Sequence, residues 1–349
     1  VAKALRRPAL FGPPFPPVYE DMMRAFFISA LTLTIFLLLS HETLALELRL
    51  GHYGSDTHPS HQAARQFAKN VNKRTGNEIT VTIFPQDTLG SPKDILDMVV
   101  EGSLDMCLAG QNYLSHHAKM FDVVTIPFSL KDYAHADRVL DSPEFREWAA
   151  EELDALGLVY ISRWEWGFRQ ITNSVRPITK PEDMAGLVFR TPPSPASKAA
   201  IETFGGVVVP VSFEKLVPTL REGTVDGQEN PLCIIYNLRL YESQKYICLL
   251  NFLYTSMSHV VGKGTWGRLT PFQKRVIQEE SEKAGLAMRK TIRSGEARQL
   301  SEMRARGAVV TFPDEEAFKK RIDPAREAIK RDVGEANYAR WMRLVEAAR

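Results

Sequence analysis

The residues of this chain best suited to chemistry are cationic and amide side chains at the ends of apolar segments, and what they suit is capture of an anion. Arg190 closes the run Leu187-Val188-Phe189-Arg190. Ligands of open α/β sheets collect at the carboxyl ends of strands, and a guanidinium there offers a rigid two-donor fork matched to a carboxylate. A surface arginine at a strand end is the other reading, and the residues alone weigh the two evenly. Arg169 follows Trp164-Glu165-Trp166-Gly167-Phe168, a cluster too rich in rings for an exposed loop; read by itself it is a stacked arginine or one paired with Glu165. Asn230 precedes Pro231, which biases it toward extended geometry on an irregular segment, where its amide can donate and accept toward a ligand or close an Asx turn. Gln111 follows an apolar run at Met106 and His58 precedes a helical pattern; both are candidates from the first half of the chain, and turn or cap roles explain them equally well.

Other motifs are weaker. Gly262-Lys263-Gly264-Thr265-Trp266-Gly267 matches G-x-G-x-x-G, but its helix begins only at Thr270-Pro271 and the acid at suitable range, Glu282, lies inside that helix, so the dinucleotide context fails. His58 and His61 are one helical turn apart, with His116-His117 as further nitrogens, yet no cysteine or carboxylate completes a metal spacing. Nucleophile-elbow, P-loop and H-E-x-x-H patterns are absent from the sequence. The reading therefore has no catalytic residue, no metal and no cofactor.

The elements that must position these residues alternate along the chain. Leu48, Leu50 and His52 form one period-two strand and Ile79, Val81 and Ile83 another, with Ala63, Ala64, Phe67, Ala68 and Val71 at helical spacing between them. Ser91-Pro92 starts a second helix, Gly102 closes it, and a strand at Met106 follows. The rhythm restarts with strands at Leu156 to Ser162, Leu187 to Arg190 and Val207 to Val209, so the chain reads as two α/β units in tandem. Thr270-Pro271-Phe272-Gln273 opens a helix that continues to about Arg306; at about 50 Å it exceeds a small domain and is expected to span both units. A strand from Ala308 to Phe312 and a terminal helical segment from Pro324 complete the reading. Pro218 interrupts the helix-like run Ser212 to Arg221, which predicts a kink or early turn there.

Composition narrows the function classes. The 349 residues carry 44 Lys and Arg against 42 Asp and Glu, a formal charge of +2, which supplies no field for nucleic acid or an anionic bilayer. The first 45 residues differ from the rest: Met23-Arg24, the apolar run Ala25 to Leu39 and Thr43-Leu44-Ala45 have the three parts of a secretory signal. The Pro-rich stretch before Met23 has no place in one, which points to translation from Met22 or Met23. The apolar run spans about 22 Å as a helix, short of the roughly 30 Å hydrocarbon core, so a membrane anchor is the weaker reading. Cys107, Cys233 and Cys248 are read as small buried hydrophobes, with a Cys233–Cys248 bridge as the minor alternative.

Taken in order, Leu89-Gly90, Gly102-Ser103-Leu104-Asp105, Gly167-Phe168-Arg169-Gln170-Ile171-Thr172-Asn173, Gly186-Leu187-Val188-Phe189-Arg190 and Val225-Asp226-Gly227-Gln228-Glu229-Asn230-Pro231 resemble the solute-binding subunit of TRAP (tripartite ATP-independent periplasmic) transporters, of the dicarboxylate-binding-protein-like family. The resemblance covers essentially the whole chain after the leader, and Asp-Gly-Gln-Glu-Asn-Pro is its most specific member. It implies an α/β, two-lobed periplasmic-binding-protein-like fold with a ligand cleft between the lobes and a long helix across both. Lobe I would comprise residues 46–166 and 256–288, lobe II 167–255 and 289–349. It further implies a monomeric, periplasmic carrier that captures a small organic acid for the membrane permease subunits; a metal-dependent enzyme and a sensor subunit on the same frame are the competing classes. In the resemblance Arg190 is the carboxylate clamp, Arg169 a second positive donor, Asn230 a cleft-lining amide and Phe213 a cleft wall, for which a core position is the alternative. Trp166 stands where relatives often carry a small or polar residue, so its ring would narrow the cleft. After Ser258-His259 the chain reaches Trp266 and Leu269-Thr270-Pro271 sooner than the family's pattern, which leaves the length of the returning strand open.

Overall fold

The computed structural model describes residues 45–349 apart from Asp87, together with Met22 and Phe26; the signal-peptide and start-site expectations rest on residues outside these. Residues 46–349 form one compact unit. Its strands are β1 Leu46–Gly51, β2 Ile79–Phe84, β3 Met106–Gly110, β4 Leu158–Asn173, β5 Val188–Thr191, β6 Val207–Pro210, β7 Gly227–Pro231, β8 Tyr246–Gly262 and β9 Val309–Thr311. Its helices are α1 Pro59–Arg74, α2 Pro92–Val100, α3 Gln111–Leu114, α4 Tyr133–Leu140, α5 Pro143–Ala155, α6 Pro195–Thr203, α7 Leu216–Arg221, α8 Leu232–Asn237, α9 Lys263–Gly267, α10 Pro271–Ala305, α11 Glu315–Lys319, α12 Asp323–Val333 and α13 Glu335–Ala347.

Local chemistry accounts for the helix ends that position the site. The α1 helix is capped by His58, whose side chain accepts from the Ser60 amide, with proline in the first turn and Lys73 and Arg74 in the last. Ser91 and Asp94 close a capping box on α2, and Thr270 and Gln273 close another on α10. Pro218 lies in the first turn of α7, where a helix needs no amide donor, and the expected break is the short 3₁₀ turn Phe213–Lys215 just before it. The terminal helical segment is divided by Gly334, whose φ of 85° ends α12 and admits α13.

The sheet runs β2-β1-β3-β8-β4-β7-β5-β6, with β9 added beside β8. Two parallel blocks flank a long antiparallel pair. β1 pairs in parallel with β2 and β3, β5 pairs in parallel with β6 and β7, and β4 and β8 run through the middle against each other. β3 attaches to the later half of β8, at Met257 to Val261; β7 attaches to the later half of β4, at Arg169 to Asn173. The expected lobe boundaries at 166/167 and 255/256 thus fall inside β4 and β8. One apolar core gathers β1 to β3, α1, α2, α4, α5 and the facing side of α10; a second gathers Phe189, Ile201, Phe204, Leu250, Phe252 and Phe318 around β5, α6 and the early half of β8. This is the expected α/β architecture, with β4 longer than expected and β8 supplying a second long strand. The strand expected from Leu156 to Ser162 continues to Asn173, so the aromatic cluster Trp164 to Phe168 belongs to a strand rather than a loop. After His259, where the family's pattern leaves the length of the returning strand open, β8 continues to Gly262, from which the chain passes directly into α9.

Two glycines show how tightly the central pair is held. A Cβ on Gly227 would lie 2.5 Å from the Thr172 carbonyl oxygen and 2.5 Å from the Phe189 ring, so β7 can sit between β4 and β5 only without a side chain there. Gly285 lies within α10, a helix of 35 residues that packs on β4 and α1, and its Cβ would lie 2.5 Å from the Arg163 carbonyl oxygen. The three cysteines are free and buried, which corrects the minor expectation of a Cys233–Cys248 bridge: Cys233 packs beneath β4, with Sγ 3.5 Å from the Trp166 carbonyl oxygen, and Cys248 sits in the second core.

Within a helix, glycine to alanine ordinarily stabilises by up to about 1 kcal/mol. Gly295→Ala, whose new Cβ would meet only Gln299 at 3.4 Å, should follow that rule. Gly285→Ala should reverse it and destabilise by about 1–3 kcal/mol through overpacking. Urea unfolding of the two variants checks the sign; stabilisation by both would mean that α10 does not press on β4 at Arg163.

Candidate functional site

Arg190 lies on β5, between Val209 of β6 and Gln228 of β7, and is 1 % exposed. Its Nε donates to the Val211 carbonyl oxygen at 2.8 Å, which fixes the plane of the guanidinium. Nη1 and Nη2 are buried and have no partner among the described residues. Burial pulls the Arg190 pKa down to about 10, helped by the neighbouring Arg169 charge and opposed by Tyr113, Glu229 and Glu214. The group therefore stays cationic at neutral pH with two donor nitrogens unmet, a state whose natural complement is an acceptor from outside the chain.

Arg169, on β4, is committed within the protein. It donates from Nε to Glu229 Oε2, and from Nη2 to the Glu229 carbonyl oxygen at 2.7 Å and to Asn230 Oδ1 at 3.2 Å. Its carboxylate partner is thus Glu229, not the Glu165 that the aromatic cluster suggested, because β7 pairs with β4 at this point. Glu165 turns instead to Arg293 of α10. Asn230 is not on an irregular segment but in β7, and its Nδ2 donates to Gln228 Oε1 at 2.5 Å. Gln228 in turn donates to Thr172 Oγ1 at 2.8 Å, so this row of amides is tied together across the sheet.

Trp166 owes its position to a β-bulge. Glu165 pairs with Ser256 and Gly167 with Thr255, leaving Trp166 as the extra residue, and Gly167 has a φ of 120° that side-chain-bearing residues rarely adopt. The bulge sends the indole toward β1, where its centroid lies 4.7 Å from Tyr53, 4.8 Å from His58 and 5.7 Å from Phe213. Tyr53 also meets Phe213 at 5.7 Å and Tyr113 at 5.6 Å. Phe213 is therefore part of the aromatic group that joins residues from both parallel blocks. Tyr113 carries the group to within electrostatic reach of Arg190; burial pushes its phenol up to about 12, so it remains a neutral hydroxyl.

His58 and Gln111 take structural positions beside this group. His58 caps α1 through Nδ1 and places Nε2 3.6 Å from Cys233 Sγ. Gln111 begins α3 and engages Ser256 with both amide atoms: Nε2 donates to its hydroxyl at 2.7 Å and Oε1 accepts from its backbone amide at 3.0 Å. The structure thus brings Arg190, Arg169, Asn230, Phe213 and Trp166 around one buried locus, with His58 behind Trp166 and Gln111 in the joint between β3 and β8. Glu229, from the Asp-Gly-Gln-Glu-Asn-Pro run, joins them, as do Tyr53, Tyr113 and Glu214, which lie in no motif. The signal that identifies the two tyrosines is position: they follow β1 and β3 at the carboxyl ends of parallel strands, the same logic that marks Arg190.

The other candidate motifs resolve into local structure. His61 Nδ1 lies 3.2 Å from His52 Nε2, His116 Nε2 lies 3.2 Å from the Pro193 carbonyl oxygen, and His117 meets Asp97 at 2.9 Å; among the described residues no three potential ligands are grouped to hold a metal. The G-x-G-x-x-G segment is the end of β8 followed by α9, with Lys263 paired to Asp154.

A family model described as bacterial extracellular solute-binding protein, family 7, matches residues 50–332. The 2,3-diketo-L-gulonate-binding periplasmic protein of Escherichia coli is 30% identical over 83% of this chain and 88% of its own length. The sialic acid-binding periplasmic protein of Vibrio cholerae is 26% identical over 83% of this chain and 90% of its own. Among solved structures, a sugar acid binding protein from Advenella mimigardefordensis in complex with galactonate superimposes with a TM-score of 0.83 at 28% identity, covering 87% of this chain and 99% of that one. A TRAP periplasmic solute-binding protein from Polaromonas bound to D-erythronate gives 0.80 at 29%, covering 85% and 98%.

The buried histidines predict a pH dependence. Burial holds His52, His58 and His259 down at about 3, whereas each binds a proton near 6.5 once unfolded. The unfolded state therefore takes up more protons, and stability falls as pH drops from about 6.5 toward 3, by up to about 1.4 kcal/mol per unit for each ring. Asp122, pushed up to about 6 by burial, works the other way and offsets one of the three until its own unfolded value is passed. Imidazole NMR between pH 8 and 5 should show these three rings neutral throughout; titration of any of them near 6.5 would contradict the buried, uncharged state.

Proposed function

This chain belongs to bacterial extracellular solute-binding protein family 7, and from that premise we propose that it captures a small organic carboxylate outside the cytoplasm and delivers it to a TRAP-type membrane permease. The observation that carries the ligand class is the pair of buried, unpartnered Nη nitrogens on Arg190. A carboxylate meets both at once, removing the penalty of two unmet donors and neutralising a charge already out of water. Relatives of this fold hold galactonate and D-erythronate, each of which bears a carboxylate. In this reading the carrier works in the periplasm as a monomer, uses no cofactor and performs no reaction on its ligand.

A thermal-shift screen tests the reading. Ligand at a hundred times its Kd adds about 2.7 kcal/mol to stability, so small organic acids should raise the melting temperature of the protein at neutral pH, and neutral sugars and organic cations should not. A screen in which only neutral sugars or cations raise it would overturn the carboxylate assignment.

A further inference from the structure

The donors and acceptors left unmet around Arg190 describe more of the ligand than its carboxylate. On the donor side stand Nη1 and Nη2 of Arg190; on the acceptor side stand Glu229 Oε1 and Glu214 Oε2, both buried and both without a donor. Each glutamate has its other oxygen engaged, Glu229 by Arg169 and Glu214 by the Ser212 hydroxyl. Both glutamates and Arg169 lie within electrostatic reach of the Arg190 charge. The nearby amides offer no relief, since Asn230, Gln228 and Gln111 are bonded to Arg169, Thr172, Ser256 and one another.

Resting on the carboxylate reading above, we infer that this site selects a monocarboxylate carrying its own hydrogen-bond donors, a hydroxyl or an ammonium near the carboxylate, over a dicarboxylate of similar length. Charge and hydrogen bonding reach this separately. Of the two arginines, Arg169 is already paired with Glu229, so Arg190, with both Nη nitrogens unmet, is the one guanidinium whose fork is open to a ligand carboxylate. A second ligand carboxylate would find no uncommitted cation and would face the buried Glu229 and Glu214 as a further anion, which a dry site strongly disfavours. In hydrogen bonding, the two glutamate oxygens need donors, and an ionised carboxylate is acceptor-only. A hydroxyl or ammonium group supplies those donors; a methylene does not, and leaves buried acceptors unmet.

Isothermal titration of the purified protein with D-glycerate, D-erythronate, L-serine, butanoate and succinate tests this, with Arg190→Ala as the control. The first three bear donors beside one carboxylate, butanoate lacks the donor, and succinate replaces it with a second carboxylate. At least one donor-bearing acid should bind at least tenfold more tightly than both butanoate and succinate, hydroxyl and ammonium sources being separated by the glycerate and serine arms, and Arg190→Ala should abolish that binding. Succinate or butanoate binding as tightly as the best donor-bearing acid, and lost in Arg190→Ala, would overturn this inference while leaving the carboxylate reading intact. Binding unaffected by Arg190→Ala, or none by any acid in the panel, would overturn both.

Discussion

The constraint around which the site is arranged is a guanidinium taken out of water with two of its nitrogens unmet. Burying an unpaired charge is among the most expensive things a fold can do, and Arg190 is 1 % exposed with Nη1 and Nη2 unpartnered. The surroundings limit that penalty without cancelling it. Val211 takes Nε and orients the fork; Glu229 and Glu214 supply opposing potential that keeps the group charged. Glu229 is meanwhile engaged by Arg169 through Nε and Nη2. In the proposed reading, the ligand carboxylate completes this site.

The rest of the architecture holds that arrangement in place. β4 and β8 run through the sheet as one antiparallel pair, with a parallel block on each flank. Arg169, Trp166 and Glu165 all come from a short stretch of β4 and face three different tasks: the β7 carboxylate, the aromatic group and α10. The bulge at Trp166 makes this division possible, since it breaks the two-residue alternation at one point. Behind it, Glu165 joins Arg293, which with Arg163 and Arg289 also engages Asp137. This ionic group ties α10 and α4 to β4, and the opposing charges pull the Asp137 carboxyl well below the usual range against the effect of its burial.

Much of this was legible from the residues, and the exceptions have physical causes. Short strands such as Ile79–Phe84 and helices with explicit caps, such as Pro92–Val100 and Pro271–Ala305, announce themselves by alternation and by Ser-Pro or Thr-Pro starts. β8 does not: Tyr246–Gly262 is buried along most of its length, so its apolar run carries no alternation to distinguish strand from helix. The strand that carries Arg190 was legible from its apolar run; the role proposed for it as a carboxylate clamp comes from family resemblance, since the residues alone weigh a site arginine and a surface arginine evenly. The partner of Arg169 could not be read locally, because Glu229 is 60 residues away and arrives only through the β4–β7 register. Tyr53 and Tyr113 lie in no motif; their part emerges only when two strands from one block face a bulge on the central pair.

Calorimetric titration of Arg190→Lys, using an acid that raises the wild-type melting temperature, tests the central claim most directly. Lysine keeps the positive charge and removes the planar fork, so one point contact replaces two parallel hydrogen bonds. If the unmet Nη nitrogens clamp the ligand in a dry site, binding weakens by about 2–5 kcal/mol, with lysine near the lower end, while the unliganded fold changes much less. An affinity within a few-fold of wild type would mean that Arg190 contributes only charge, and would contradict the account.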